Sequence, residues 1–279
     1  MENLEKLLKD IKIPPAPEIL IKLNALLQKD EPELSVIADV IQKDAGLSAL
    51  VLKAINSPLF GLRHEISTIR HAINLLGLSY TLNIVMGVVL KQTLSSSGKS
   101  PPRFWESPSN IALMASSLTK KYLHCSPDEA YLLGLFHNSG HALLFQKYDD
   151  YDEVMRDFIN TPNNCITCEE DARYNTDHSV IGYYLASTWN LPEHIKFVIL
   201  NHHNTIEHLS SGTIEDNQCH LSLLAILKVA EHIDKIHSGL EIDYEWESVE
   251  KDVLEYLSIS ELDFQDLRAD LLEQLDLET

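Results

Sequence analysis

Thirteen histidines stand among the 279 residues, and they fall in groups. His137 and His141 bracket Asn138-Ser139-Gly140 directly after the apolar run Leu132 to Phe136. His178 follows Asp177, and His202-His203 is flanked by His194 and His208. Neutral imidazole is the commonest metal ligand in proteins, so histidines drawn from several helices could converge on a metal centre inside a bundle. Taken singly, each fits a blander role, donating to a helix-terminal carbonyl. A hydrolytic centre for a hard divalent ion also wants carboxylates, which offset the ion's charge and leave positions for water and phosphate. Asn138, beside His137, offers only a neutral amide. Residue type and spacing therefore point to a metal site whose partner carboxylate is missing.

Cysteine is the other ligand type present. Cys125 and Cys219 stand alone in the sequence, while Cys165 and Cys168 form a C-x-x-C. Such a pair is either redox-active or half of a zinc site. No second C-x-x-C or well-spaced histidine pair lies close by, so reduced, structurally incidental thiols are expected. Thr161-Pro162-Asn163-Asn164, just before the pair, reads as a loop entering a helix.

Positioning these groups falls to helices. Pro17 stands where a first helical residue would be, and Ile19, Leu20, Leu23, Leu26 and Leu27 recur at three- and four-residue spacing. Leu34, Ile37, Val40 and Ile41 repeat the pattern. Asp44 is placed to cap a helix carrying Leu47, Leu50, Val51, Ala54 and Ile55, which Asn56-Ser57-Pro58 ends. Ser67 reads as the cap of the next helix, with Gly77 just past its end. A more apolar helix follows from about Ser79 to Leu94; it has too little polar surface to stand alone and must be buried. The stretch from Ser95 to Pro102 combines flexible and helix-breaking residues and is expected to be a domain boundary.

Beyond that stretch the pattern is helical again. Ser126-Pro127-Asp128-Glu129 reads as a capping box, and Thr167 with Glu170 repeats the signature. Val180, Ile181, Tyr184, Leu185 and Trp189 form one amphipathic face. Leu223, Leu224, Leu227, Ala230 and Ile233 mark a long helix ending near Gly239. Ser260 is placed to cap a last one bearing Phe264, Leu267, Leu271 and Leu275. Period-two alternation is rare, and no Asn-Gly or Asp-Gly turn joins paired runs. The fold expected is all-α.

Composition narrows the classes of function. The formal charge of −20 repels a phosphate backbone and an anionic membrane surface, which argues against nucleic acid and membrane as partners. Residues 241–279 hold fourteen Asp or Glu against Lys251 and Arg268, a run read mainly as a solvated helical face. No apolar run approaches the roughly 20 residues that span a bilayer. The N-terminal MENLEKLLKD lacks the form of a signal peptide, so a cytoplasmic location is expected.

Several ordered segments resemble one family. Ile13-Pro14-Pro15-Ala16-Pro17-Glu18, Val40-Ile41-Gln42-Lys43-Asp44 and Ala54-Ile55-Asn56-Ser57-Pro58-Leu59-Phe60-Gly61 closely resemble the N-terminal region of the HDOD family. So does the run Ile66 to Gly77. Phe104-Trp105, Gly134-Leu135-Phe136-His137-Asn138, Asp177-His178, Trp189-Asn190-Leu191-Pro192 and His202-His203 continue the match in the same order. The resemblance covers about residues 13 to 235. It implies an N-terminal helical lobe (1–97) packed on an HD-like multi-helix domain (103–240), leaving 241–279 as an acidic helical extension.

HDOD domains are related to HD-type phosphohydrolases, whose metal is held by a first His, a His-Asp pair and a later Asp. Carried over by position, the pair falls on His137 and Asn138, the first His on Ser107, and the last Asp at about Glu231. Only His137 is unchanged. The resemblance therefore implies a non-catalytic bacterial signalling module with a degenerate metal site and no expected cofactor. It would act in trans on other signalling proteins, since no receiver, kinase or cyclic-dinucleotide-synthesising segment accompanies it. The relic pocket, lined by Ser107, His137, Asn138, His178, His202, His203 and Glu231, could take a small ligand. The alternative is a metal-dependent HD-type phosphohydrolase acting on a nucleotide or phosphodiester. Its divalent metal would be held by His137, His178, His202, His203 and Glu231.

Overall fold

A computed structural model describes residues 11–277 except 30, 97, 102, 121–124, 161–164 and 211–217. The N-terminal segment 1–10, the loop expected at 161–164, and Ser97 and Pro102 of the expected boundary lie outside the described residues. An N-terminal lobe contains α1 (Glu18–Leu27), α2 (Leu34–Gln42), α3 (Ala45–Ile55), α4 (Ile69–Leu76) and α5 (Leu78–Ser95). The HD-like domain runs through α6 (Glu106–Thr119), α7 (Pro127–Phe136), α8 (Ser139–Lys147), α9 (Tyr151–Asn160) and α10 (Ile166–Tyr174). It continues through α11 (His178–Thr188), α12 (Glu193–Asn201), α13 (Thr205–Ser210) and α14 (Gln218–His237), before the extension forms α15 (Tyr244–Leu257) and α16 (Glu261–Asp276). No strand occurs among the described residues, and the fold is all-α as expected. No helix among them is long and apolar enough to cross a membrane.

Local chemistry sets most boundaries. The Asp44 carboxylate accepts from the Leu47 amide at 2.9 Å and starts α3. Asn56 then clamps the return loop, donating to the Ile66 carbonyl at 2.8 Å and accepting from the Ile66 amide at 2.7 Å. That clamp is why Asn-Ser-Pro ends the helix cleanly. Ser260 caps α16 through the Asp263 amide, and the stripe Phe264, Leu267, Leu271 and Leu275 is buried, so the extension docks on the body.

Four cap assignments move. Pro17 takes the cap position of α1, one residue before the first helical turn. Thr68, not Ser67, caps α4: its backbone is extended and its hydroxyl accepts from the His71 amide at 3.1 Å. Ser126 makes no side-chain cap, because its hydroxyl turns to Asp128. The α10 cap is Cys165, whose sulfur accepts from the Cys168 amide, so Thr167 lies inside the helix. The expectation of reduced thiols at Cys165 and Cys168 is also corrected, since the two form a disulfide. One cysteine caps the helix and the other ends its first turn, which brings their Cα atoms to 5.2 Å, inside bridging range.

The lobes share an apolar core. Buried positions of α5, including Ile84, Val85 and Leu90, sit in one cluster with Leu132, Leu133 and Phe136 of α7. Phe60, in a short 3-10 turn at Pro58–Phe60, packs on Tyr80 and Tyr131, whose ring centroids lie 5.9 and 5.7 Å away. The buried Trp189 donates its indole N–H to the Pro14 carbonyl at 3.1 Å. Two stretches of the family resemblance 175 residues apart therefore meet at one hydrogen bond.

Candidate functional site

The histidine groups converge where α8, α11 and α12 meet. His137 ends α7, His178 opens α11, and His202 and His203 follow the last turn of α12. His137, His178 and His202 are fully buried, and His203 is partly so. Gly140 permits this meeting: a Cβ there would stand 1.9 Å from the His178 carbonyl oxygen, so α8 and the start of α11 touch backbone to backbone.

Hydrogen bonds fix a proton on Nδ1 of each ring. His178 Nδ1 lies 2.7 Å from Glu170 Oε2, and the His178 amide donates to the same oxygen at 2.9 Å. A carboxylate only accepts, so Nδ1 carries a proton, and in the neutral ring Nε2 presents a lone pair. His202 Nδ1 donates to the Ile199 carbonyl at 2.8 Å, and His203 Nδ1 to Glu245 Oε1 at 3.0 Å. Their Nε2 atoms likewise present lone pairs. These three nitrogens face one another, His178 Nε2 being 3.3 Å from His202 Nε2 and 2.9 Å from His203 Nε2. Three lone pairs at that spacing repel unless a proton or cation stands between them. Ligand nitrogens on a tetrahedral ion stand about 3.3 Å apart, and carboxylate or carbonyl partners on the far ring nitrogens are the usual support for such a centre. The arrangement can hold one cation of borderline softness.

Glu170 anchors the group. It is fully buried, accepting from His178 and, through its other oxygen, from Tyr151, while His141 Nδ1 lies 3.3 Å away. Burial opposes its charge, but His178 and His141 outweigh that and hold the carboxyl well below the usual range. His141 stacks on His178 with ring centroids 3.8 Å apart. Burial and the His178 ring press it down to about 4.

The position matching an HD-type metal is built differently. His137 Nδ1 donates to the Gly134 carbonyl at 2.8 Å, and its Nε2 approaches Glu231 Oε1 at 3.3 Å. Glu231 Oε2, however, lies 2.7 Å from the ammonium of Lys228, which also donates to Glu245 at 2.6 Å. Lys228 is buried. Burial opposes its charge, yet Glu231 and Glu245 hold its pKa above the ordinary value. Glu231 is held down to about 2: burial raises it, and Lys228 and His137 together win. Ser107 donates to Asp234, which Asn110 also binds at 2.9 Å. Asn138 caps α8 through its backbone and is half-buried. Residues at the first-His and His-Asp positions thus supply no anion, and a lysine lies where the carboxylates turn. A divalent metal does not fit there.

The HDOD domain family matches residues 13–205, more than two thirds of the chain. The chain belongs to the HDOD family. An HDOD domain protein of Geobacter sulfurreducens shares the fold at 20% identity with a TM-score of 0.67, covering 99% of this chain and 96% of that one. A candidate phosphohydrolase of Shewanella amazonensis SB2B matches at 20% identity, TM-score 0.67, covering 99% and 95%. A candidate signal transduction protein of Marinobacter aquaeolei VT8 matches at 18% identity, TM-score 0.70, covering 99% of this chain and 63% of that one. An uncharacterised protein of Treponema pallidum (strain Nichols) is 27% identical over 201 residues, 69% of this chain; the match spans only 38% of that relative's length.

The site thus gathers His137, His178, His202, His203 and Glu231, with Ser107 turned to Asp234. It also contains Glu170, Tyr151, Lys228 and Glu245, none of which the sequence reading assigned to it, and His141, which that reading grouped with His137 but left out of the pocket. Lys228 and Asp234 could have been found, because they stand three residues either side of Glu231 on one face of α14. Glu245 belongs to the acidic extension, and no spacing ties it to His203.

Keeping these rings neutral makes the fold acid-sensitive. Burial above all places His141, His202 and His203 below the ordinary 6.5 in the folded protein, with Glu245 opposing it at His203. As pH falls the unfolded chain binds these protons first, so stability is full above 6.5 and is lost from there toward the folded value of about 4 for His141. Glu170, Glu231 and Glu245, held below 4.5, add a loss of the same sign only at still lower pH. Thermal melting with a chelator present is expected to show Tm falling steadily between about pH 6.5 and pH 5. A flat Tm over that interval would show that the rings are not held neutral.

Proposed function

We propose that this chain is a non-catalytic regulatory module of the HDOD type, transmitting a signal by binding other signalling proteins in trans. The observation that supports it most is the buried Lys228 ammonium between Glu231 and Glu245. An internal cation already neutralises the carboxylates that a hydrolytic metal would need. The name of the Marinobacter neighbour agrees with a signalling role. The charge of −20 disfavours nucleic acid and anionic membranes as targets, and a small ligand at the imidazole group would be a means of control.

A second reading, an HD-type metal-dependent phosphohydrolase acting on a nucleotide or phosphodiester, is favoured by one feature. The Nε2 atoms of His178, His202 and His203 converge and could hold a divalent cation. The name of the Shewanella neighbour points the same way. Hydrolysis assays with manganese, iron(II) or magnesium, on chromogenic phosphodiesters and cyclic and linear nucleotides, separate the two. No turnover above the rate of a His178→Ala variant is the expected result. Metal-dependent turnover lost in that variant would establish the enzyme and remove the scaffold reading.

A further inference from the structure

A second group of ligand-type side chains lies outside the histidine site. Cys125 and Cys219, remote in sequence, are brought together by the fold, and the Cys125 thiol hydrogen-bonds the Cys219 sulfur. Cys125 lies just before α7, and Cys219 is in the first turn of α14. Glu129, in the first turn of α7, and His194, in the first turn of α12, complete the group. One ligand atom each from Glu129, His194 and Cys219 lies within 4.8 Å of the others. His194 Nε2 pairs with Glu129 Oε1 at 3.1 Å, which raises the imidazole pKa and lowers that of the carboxyl. The four residues thus form two contacting pairs, Cys125 with Cys219 and His194 with Glu129. All four residues are partly exposed, so an ion could reach them.

We propose that Cys125, Cys219, His194 and Glu129 form a binding site for one divalent cation of zinc's borderline softness. Two thiolates, an imidazole and a carboxylate are a recurrent tetrahedral zinc donor set, and their atoms stand about 3.3–3.8 Å apart around the ion. Glu129, His194 and Cys219 already bring one ligand atom each within 4.8 Å of the others, and Cys125 reaches the group through its contact with Cys219. The backbone amide of Ser126 binds the Glu129 carboxylate and orients it. Three helix starts, each with partial positive charge, favour a centre whose thiolate and carboxylate donors leave it net negative. A bound ion would tie α7, α12 and α14 together at one end of the HD-like domain. The site shares no residue with the histidine group, and the proposal does not depend on the functional reading above.

Cobalt(II) tests it on the full chain, without an affinity tag and under reducing conditions. A Cys165→Ser/Cys168→Ser background removes the other two thiols. One cobalt per chain is expected to give a near-ultraviolet thiolate-to-cobalt absorption band, which zinc abolishes by displacement. The band should vanish in Cys219→Ser, vanish or weaken greatly in Cys125→Ser and His194→Ala, and persist in His178→Ala. The imidazole group holds no sulfur and cannot produce it. Where a variant folds poorly, the intact background gives a second readout: zinc should slow alkylation of both remaining thiols. Absence of the band in the folded background protein would overturn the proposal. So would a band that survives loss of Cys219, or alkylation indifferent to zinc.

Discussion

Changing Gly140 to alanine is expected to leave little folded protein. The added Cβ would lie 1.9 Å from the His178 carbonyl oxygen, 2.7 Å from its carbonyl carbon and 2.8 Å from its Cα. All three are backbone atoms, so no side chain can rotate away; α8 and α11 must separate. That separation would open the packing around Ile181 and Leu185 and pull His178 from Glu170. Overpacking in a close-fitted core costs about 1–3 kcal/mol where side chains yield, and more where backbone must move. A loss above about 4 kcal/mol is expected, comparable with the whole stability of a marginal domain. Gly46→Ala is the control. Its Cβ would meet only Asp44 Oδ1 at 3.4 Å, and alanine is the better helix former. Urea denaturation of the two variants should place them on opposite sides of the natural protein. A Gly140→Ala protein as stable as the natural one would contradict the close contact on which the histidine site depends.

The second large effect is expected at Lys228. Methionine there preserves much of the volume but removes the cation that Glu231 and Glu245 share. Breaking a buried ion pair from one side costs about 3–5 kcal/mol, because the remaining charge is left uncompensated. Part of that cost is relieved if Glu231, held at about 2 by Lys228 and His137, takes up a proton. The variant should therefore be least stable at neutral pH and recover relative to the natural protein as the pH is lowered. Manganese should also restore some of its Tm while leaving the natural protein unchanged in that respect, since the vacated carboxylates could bind a divalent ion. Melting curves at two pH values, with and without manganese, decide the matter. A Lys228→Met protein indistinguishable from the natural one would mean that the ammonium does not hold the pocket together, and the argument against a metal there would fail.

Much of the helical framework follows from short-range chemistry. Asp44, Gly77 and Ser260 act within a few residues of themselves, so their roles can be recognised from sequence. The apolar stripe of α16 is legible for the same reason: residues three and four apart share a helix face whatever else the chain does. Where two nearby groups compete for one bond, local rules fail. The Ser126 hydroxyl binds the Asp128 side chain instead of a backbone amide of α7, and Cys165 displaced Thr167 at the start of α10. The resemblance to the HDOD family singled out His137 and marked Asn138 and Ser107 as departures from the HD-type ligand set.

What the amino-acid order determined by itself is therefore the helices, the acidic surface and the family. Only tertiary packing decided which groups answer one another. Glu170 looked like a helix cap and proved to be the buried anchor of His178 and His141. Glu245 looked like one of many surface carboxylates and reaches His203 across 42 residues, while Lys228 turns from the face of α14 to join it. Cys125 and Cys219 are solitary in sequence and neighbours in space. The physical reason is range. Caps and stripes are set by geometry within a turn or two of helix. Charge pairing and ligand convergence depend on where whole helices come to rest, which is settled by burial of a core to which every helix contributes.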